Sequence, residues 1–335
     1  MSRELGMMLH TGDMDWDDLI RFAQECEKLG YDGFWVTEEA GKEAFALLGV
    51  LARETESIRL GTSIVNFYSR TPTLLAMGAR SIHELSGGRF GPFGLGTGGI
   101  GFMLRGHGIE LDRPVGRAKE ATEIIRGLLN EERFDYEGKW FNVDNFRLRE
   151  GPIPETKIPI WLAGLGPQMI GMGATVADGV ITNWLTEESL AEFRDIIGRK
   201  ATSAGRDPSE VTIATLAMIC IDSNDEEALT AMRRGLAFYC ASKHYGHIAE
   251  ICGLGADFQR VADKWAERKF DEAVALVSDE MLAKFSITGT DAECREYLRW
   301  LEHEGVYPIM YPVPRKSNMT EDHFISARKA VELTS

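Results

Sequence analysis

Two carboxylates in a row, Glu38-Glu39, follow the apolar run 33–37 (GFWVT). At the end of a strand, such a pair can do acid–base work or hydrogen-bond a cofactor ring. Successive strand residues point to opposite sides, so at most one faces inward. The plainer reading is two solvated loop carboxylates. His10 follows another apolar run, LGMML, and is either pocket-lining or packed. His244 and His247, with Glu250, Cys240 and Cys252 nearby, have HxxH spacing. They are not an HExxH motif and lie in a helical stretch, so packing histidines are expected rather than a metal site.

Glycines supply the other chemistry. AGLGPQM (163–169) leaves a strand through two glycines and enters a helix with Pro in its first turn. Free amides at a helix N-terminus bind anions, so Gly164, Leu165, Gly166, Gln168 and Met169 form a candidate phosphate cradle. An ordinary strand-to-helix turn would look the same. It is not a GxxxxGK[ST] loop, which argues against a nucleoside triphosphate. GLGTGGIG (94–101) is a weak GxGxxG match and reads as a loop that leaves room for a flat ligand.

Eight apolar runs must position these residues: 5–9, 33–37, 58–64, 90–95, 160–163, 179–182, 211–221 and 307–311. Helical patterns separate them, and such alternation predicts a parallel sheet. Eight units over 335 residues favour a closed (β/α)8 TIM barrel over an open doubly wound sheet. Residues 137–159 read as an inserted hairpin and loop. Residues from 226 to about 290 form a helical excursion too long for one connection. No linker stands out, so residues 1–335 are expected to be a single domain.

The net charge of −15 disfavours nucleic acid and anionic membranes as partners. No apolar stretch approaches the roughly 18 residues of a membrane span. The start lacks a basic flank followed by an apolar run, and the five cysteines form no CxxC pair. A cytoplasmic protein with reduced thiols is expected.

In such barrels the active site lies at the C-terminal strand ends. Here these are Met8-Leu9-His10, Glu38-Glu39, Ser63-Ile64-Val65-Asn66, Gly96-Thr97-Gly98-Gly99, Gly164 to Pro167, Asn183-Trp184 and Tyr311-Pro312. Together with GYDGFWVTE, IRLGTSIVNFYSRTP, ELSGGRFGPFGLGTG, IPIWLAGLGPQM, ATVADGVITN, SAGRDPSEV and FSITGTDAEC, they cover nearly the whole chain. This set resembles the bacterial-luciferase-like superfamily, in its coenzyme F420-dependent oxidoreductase branch, and most of all the methylene-tetrahydromethanopterin reductases.

The resemblance implies a luciferase-like barrel, commonly homodimeric, that moves a hydride between F420 and a small-molecule substrate. It implies a non-prolyl cis peptide at Ser63-Ile64 backing the deazaflavin ring. Ring and tail contacts would involve Glu38, Ser63, Ile64, Asn66, Thr97 and Gly98, with the phosphate on Leu165, Gly166, Gln168 and Met169. Asn183 would face the substrate; Met8, His10 and Trp184 are the further substrate-side candidates, read from their places at the strand ends. The alternatives are an FMN-dependent monooxygenase and pterin reduction. Three departures bear on the substrate. Glu39 stands where many relatives have a proton-transferring histidine. Gly99 and Phe102 replace the carboxylate and amide of the sugar-phosphate dehydrogenase. Met8 replaces the pterin reductase's strand 1 glutamate, leaving an apolar pocket of Met7, Met8, Phe102 and Trp184.

Overall fold

The computed structural model describes residues 3–12, 14–149, 153–220 and 225–334. The strands among them are β1 (Arg3–Leu9), β2 (Tyr31–Val36), β3 (Arg59–Asn66), β4 (Phe90–Gly96), β5 (Phe134–Glu137), β6 (Asn142–Phe146), β7 (Ile160–Ala163), β8 (Gly179–Asn183), β9 (Thr212–Ile219) and β10 (Tyr307–Pro312). Eight close into a parallel barrel in the order β1-β10-β9-β8-β7-β4-β3-β2. The antiparallel pair β5 and β6 forms a separate hairpin. The closed (β/α)8 barrel is thus the observed architecture.

The helices are α1 (Trp16–Leu29), α2 (Ala44–Glu54), α3 (Pro72–Leu85), α4 (Ile100–His107), α5 (Pro114–Asn130), α6 (Pro167–Val176), α7 (Glu187–Ser203), α8 (Glu226–Cys240), α9 (Gly246–Ile251), α10 (Gly255–Ala266), α11 (Phe270–Ala275), α12 (Asp279–Phe285), α13 (Asp291–His303) and α14 (Met319–Leu333). Their ends carry legible signals. Asp15 caps α1 through the Asp18 N–H, Asp17 and Asp18 sit in its first turn, and Gly30 closes it in the left-handed region. None of the described helices is long and apolar enough to cross a membrane.

Three details differ from the sequence reading. The glycine-rich stretch 94–101 is not all loop: Gly99 is the N-cap of α4, which seats Met103 in the interior. The seventh barrel strand, expected over 211–221, runs from Thr212 to Ile219, and Ile221 lies outside the described residues. The excursion is five helices, α8 to α12, with breaks such as Gly253, whose φ is +76°.

Inside the barrel, Trp35, Trp161 and Tyr307 pack with ring centroids 5.4–6.3 Å apart. Strands β3 and β4 approach so closely that a Cβ on Gly94 would lie 1.9 Å from the Thr62 carbonyl oxygen. Only glycine fits there. The β3–β4 register also shifts between Thr62 and Val65, the first sign of an irregular strand end.

Glu27, on α1, anchors the turn into β3 by accepting from the N–H groups of Glu56, Ser57 and Ile58 and the Ser57 hydroxyl. Burial alone would raise its carboxyl, but these hydrogen bonds outweigh burial and hold it below the ordinary value. A depressed folded pKa gives stability that is full above the unfolded value and is lost as pH falls through the folded one. Glu27→Gln is therefore expected to cost about 1 kcal/mol at pH 7, discounted for solvent screening at this partly exposed site. The gap should close below about pH 4, near and under the unperturbed carboxylate range. Urea midpoints of both proteins at pH 7 and pH 3 check this, and an equal gap at both values would contradict it.

Candidate active site

Three groups of side chains meet at the C-terminal ends of the barrel strands. The first surrounds the end of β3, where the Ser63–Ile64 peptide bond is cis. The Glu38 N–H donates to the Ile64 carbonyl at 3.1 Å. The Glu38 carboxylate, almost wholly buried, is paired with Arg70 and accepts from the Asn66 amide at 3.2 Å. Arg70 also pairs with Glu43 and lies over the Phe45 ring. The Asn66 side-chain oxygen accepts from the N–H groups of Tyr68 and Ser69. The carboxylate expected to meet a ring is thus engaged in holding the loops around the cis bond. The Ser63 hydroxyl is buried with no partner among the described residues.

Beside it, Thr97 and Gly98 bridge β4 to α4, with Gly98 at φ +74°. A Cβ on Gly98 would meet Met103 and Asn66 at 3.3–3.4 Å, so the glycine keeps this wall low.

The second group is the turn from β7 into α6. Gly166 is the helix N-cap, Pro167 follows in the first turn, and no side chain caps the amides. A Cβ on Gly166 would meet nothing within 4 Å, whereas one on Gly164 would lie 2.9 Å from Met169 Cγ. Gly164 therefore lets the chain fold back on Met169, and Gly166 leaves space in front of the amides. Gln168 is exposed; Leu165 and Met169 are half-buried. This arrangement can bind an anion.

The third group is a chain of polar side chains. His10, just past β1, contacts Glu39 through Nδ1 at 3.0 Å and the Tyr311 hydroxyl through Nε2. Tyr239 of α8 hydrogen-bonds both Tyr311 and Asn183. The Asn183 amide also donates to the Tyr245 hydroxyl at 3.2 Å, and its oxygen accepts from the Trp184 N–H at 2.9 Å. Trp184 has φ +57°, a conformation rare for a bulky residue. It stacks on Phe285 with ring centroids 4.4 Å apart and meets Tyr239 and Tyr245 edge-on.

The electrostatics follow from these contacts. Burial alone would raise the Glu39 carboxyl, but the hydrogen bond and charge of His10 outweigh it and hold the carboxyl below its ordinary value. Burial pushes the hydroxyls of Tyr239 and Tyr245 well above the ordinary tyrosine range. Glu39 therefore favours its charged form, while the phenols of Tyr239 and Tyr245 stay protonated.

Met7 and Met8 are sealed in the core, at 0% and 2% exposure, and Phe102 packs on His107. Trp184 is equally sealed, at 1% exposure, among Phe285, Tyr239 and Tyr245, so the expected apolar cluster is filled by its own side chains. His244 lies in a short 3-10 turn and His247 in α9, which follows it directly. His247 pairs with Glu192 at 3.0 Å. Among the described residues no group of three or more His, Cys, Asp or Glu is placed to hold a metal ion. Sequence reasoning missed Arg70, Tyr239 and Tyr245. Arg70 sits in what reads as a polar turn, and the tyrosines sit in the excursion, where nothing local marks them.

The model of the luciferase-like monooxygenases matches residues 1–307. A 5,10-methylenetetrahydromethanopterin reductase of Methanolobus tindarius is 29% identical over 88% of this chain and 90% of its own length. The structure of the coenzyme F420-dependent tetrahydromethanopterin reductase of Methanopyrus kandleri superposes with a TM-score of 0.83 at 21% identity, covering 97% of each chain. An F420-dependent secondary alcohol dehydrogenase, solved with an F420–acetone adduct, superposes with a TM-score of 0.78 at 19% identity, covering 99% of each chain. The two structures share the barrel, and the family model spans most of the sequence: the protein belongs to the luciferase-like monooxygenase family.

Proposed function

We propose that this protein is an oxidoreductase that binds coenzyme F420 and exchanges a hydride between it and a small organic substrate. The carrying observation is the barrel mouth itself, where Glu38, Arg70 and Asn66 brace the end of β3 beside the low wall at Gly98 and across from the uncapped amides of α6. The two F420-dependent enzymes that share this barrel support the choice of cofactor. The residues fit such a group. The orphaned Ser63 hydroxyl needs a polar partner, the low wall at Gly98 admits a flat ring, and the uncapped α6 amides accept a phosphate.

Ser63, Ile64, Asn66, Thr97 and Gly98 would hold the ring, and Leu165, Gly166, Gln168 and Met169 the phosphate. Bound there, the deazaflavin supplies a hydride. The protein supplies orientation, worth many orders of magnitude when reacting atoms are held in line. Asn183 and Trp184 would line the substrate side, with His10 nearer solvent. The aromatic walls favour a less polar substrate than a pterin. The exposed Leu74, Met77 and Leu85 on α3 support a homodimer.

Fluorescence titration with F420, and separately with FMN, tests the reading. Tight F420 binding with FMN at least about tenfold weaker is expected, a difference of about 1.4 kcal/mol. Preference for FMN would instead favour the monooxygenase chemistry for which the family is named.

A further inference from the structure

We propose that Tyr311 is the proton donor of this site, recharged through His10 and Glu39, and that the hydride acceptor is therefore a carbonyl compound. The proposal rests on the F420 reading and deepens it. His10 and Tyr311 sit past or near the ends of adjacent strands, β1 and β10. In the barrel order β1 lies four strands from β7 in either direction, so the dyad faces the candidate phosphate cradle across the mouth. A substrate between them would have cofactor on one side and Tyr311 on the other.

Two groups converge on the Tyr311 oxygen. One is His10, whose ring meets it edge-on with centroids 5.1 Å apart. The other is the Tyr239 hydroxyl. When both donate, they stabilise the anion that Tyr311 becomes on losing its proton. His10 is held from behind by Glu39, whose side chain is 49% exposed and reaches solvent. The neighbouring elements bring Asn183, Tyr239 and Tyr245 to the same cluster. The nearby ammonium of Lys42 is spent on the carbonyls of Thr11 and Met14.

The bound reduced deazaflavin would supply the hydride, and with it the two electrons that the carbonyl carbon gains, and would itself be left oxidised. The C=O π bond breaks, and the Tyr311 O–H bond breaks as the substrate O–H bond forms. His10 returns a proton to Tyr311, and water at Glu39 restores His10. Alcohol oxidation is the same sequence reversed. Tyr311 is the catalytic residue; His10, Glu39 and Tyr239 position it and supply its proton.

The test joins two measurements on the full chain. Without cofactor, proton NMR of 15N-histidine-labelled protein should show hydrogen-bonded imidazole N–H signals that vanish in His10→Gln. Glu39→Gln should shift the Nδ1 proton and Tyr311→Phe the Nε2 proton. With reduced F420 and a panel of aliphatic and aromatic ketones and aldehydes, wild type should oxidise the cofactor in single turnover. Tyr311→Phe should slow that step about 100-fold, and Glu39→Gln should slow it less and shift its pH profile. F420 affinity should stay within about threefold, well under 1 kcal/mol. A Tyr311→Phe rate within threefold of wild type, NMR signals indifferent to Glu39 and Tyr311, or F420 binding without reduction of any carbonyl would each overturn the relay alone. Failure to bind F420 would sink the cofactor reading and the relay together.

Discussion

Gly166→Asp is expected to abolish F420 binding while leaving the barrel as stable as before or slightly more so. The two effects separate because Gly166 is an N-cap with empty space where a side chain would go. Aspartate is among the best N-cap residues, so the substitution should gain a few tenths of a kcal/mol for α6. The same carboxylate would sit where the phosphate is proposed to bind. Two like charges about 4 Å apart repel by about 4 kcal/mol at the effective dielectric of a protein surface. That corresponds to roughly a thousandfold loss of affinity. Gly166→Asn is the control, since it caps equally well without charge and should weaken binding far less. Thermal melts and fluorescence titrations of both variants make the measurement. A folded Gly166→Asp protein with unchanged F420 affinity would refute the phosphate site.

The barrel was legible because parallel strands buried on both faces must be continuous apolar runs, and their punctuation is Gly, Pro and Asp. The eight runs found that way are the eight barrel strands. α4 escaped because it is only eight residues long and follows glycines that mask its start. The Ser63–Ile64 bond is different. No local residue type marks a non-prolyl cis bond, and it was anticipated only through the likeness of the segment to a family. Least legible was the polar chain at the mouth. His10 and Tyr311 are 301 positions apart, and Tyr239 comes from the excursion. In the sequence, no histidine stands beside Glu39. Read in space, a histidine reaches it from the neighbouring strand. Closure of the sheet makes residues at the two ends of a chain into neighbours, and local spacing cannot show that.

Arg70→Met is expected to cost about 3–5 kcal/mol of stability, the usual penalty for leaving one partner of a buried ion pair alone. The side chains of Arg70 and Glu38 are only 15% and 7% exposed, so solvent cannot replace the lost partner. Glu38→Gln should cost less, because Arg70 keeps its pairing with Glu43. The double variant, with neither charge left in the pocket, should recover part of the loss seen in Arg70→Met alone. Such non-additivity is the signature of direct coupling. Affinity should follow the same order. The Glu38 N–H holds the Ile64 carbonyl, so loosening the Glu38 loop loosens the surface proposed to back the ring. Urea unfolding and F420 titration of wild type, both single variants and the double variant close the cycle. If Arg70→Met and Glu38→Gln simply add, the pair is not coupled. If Arg70→Met is destabilised while F420 affinity is untouched, the clamp serves the fold alone, and the ring must rest on something other than Ile64.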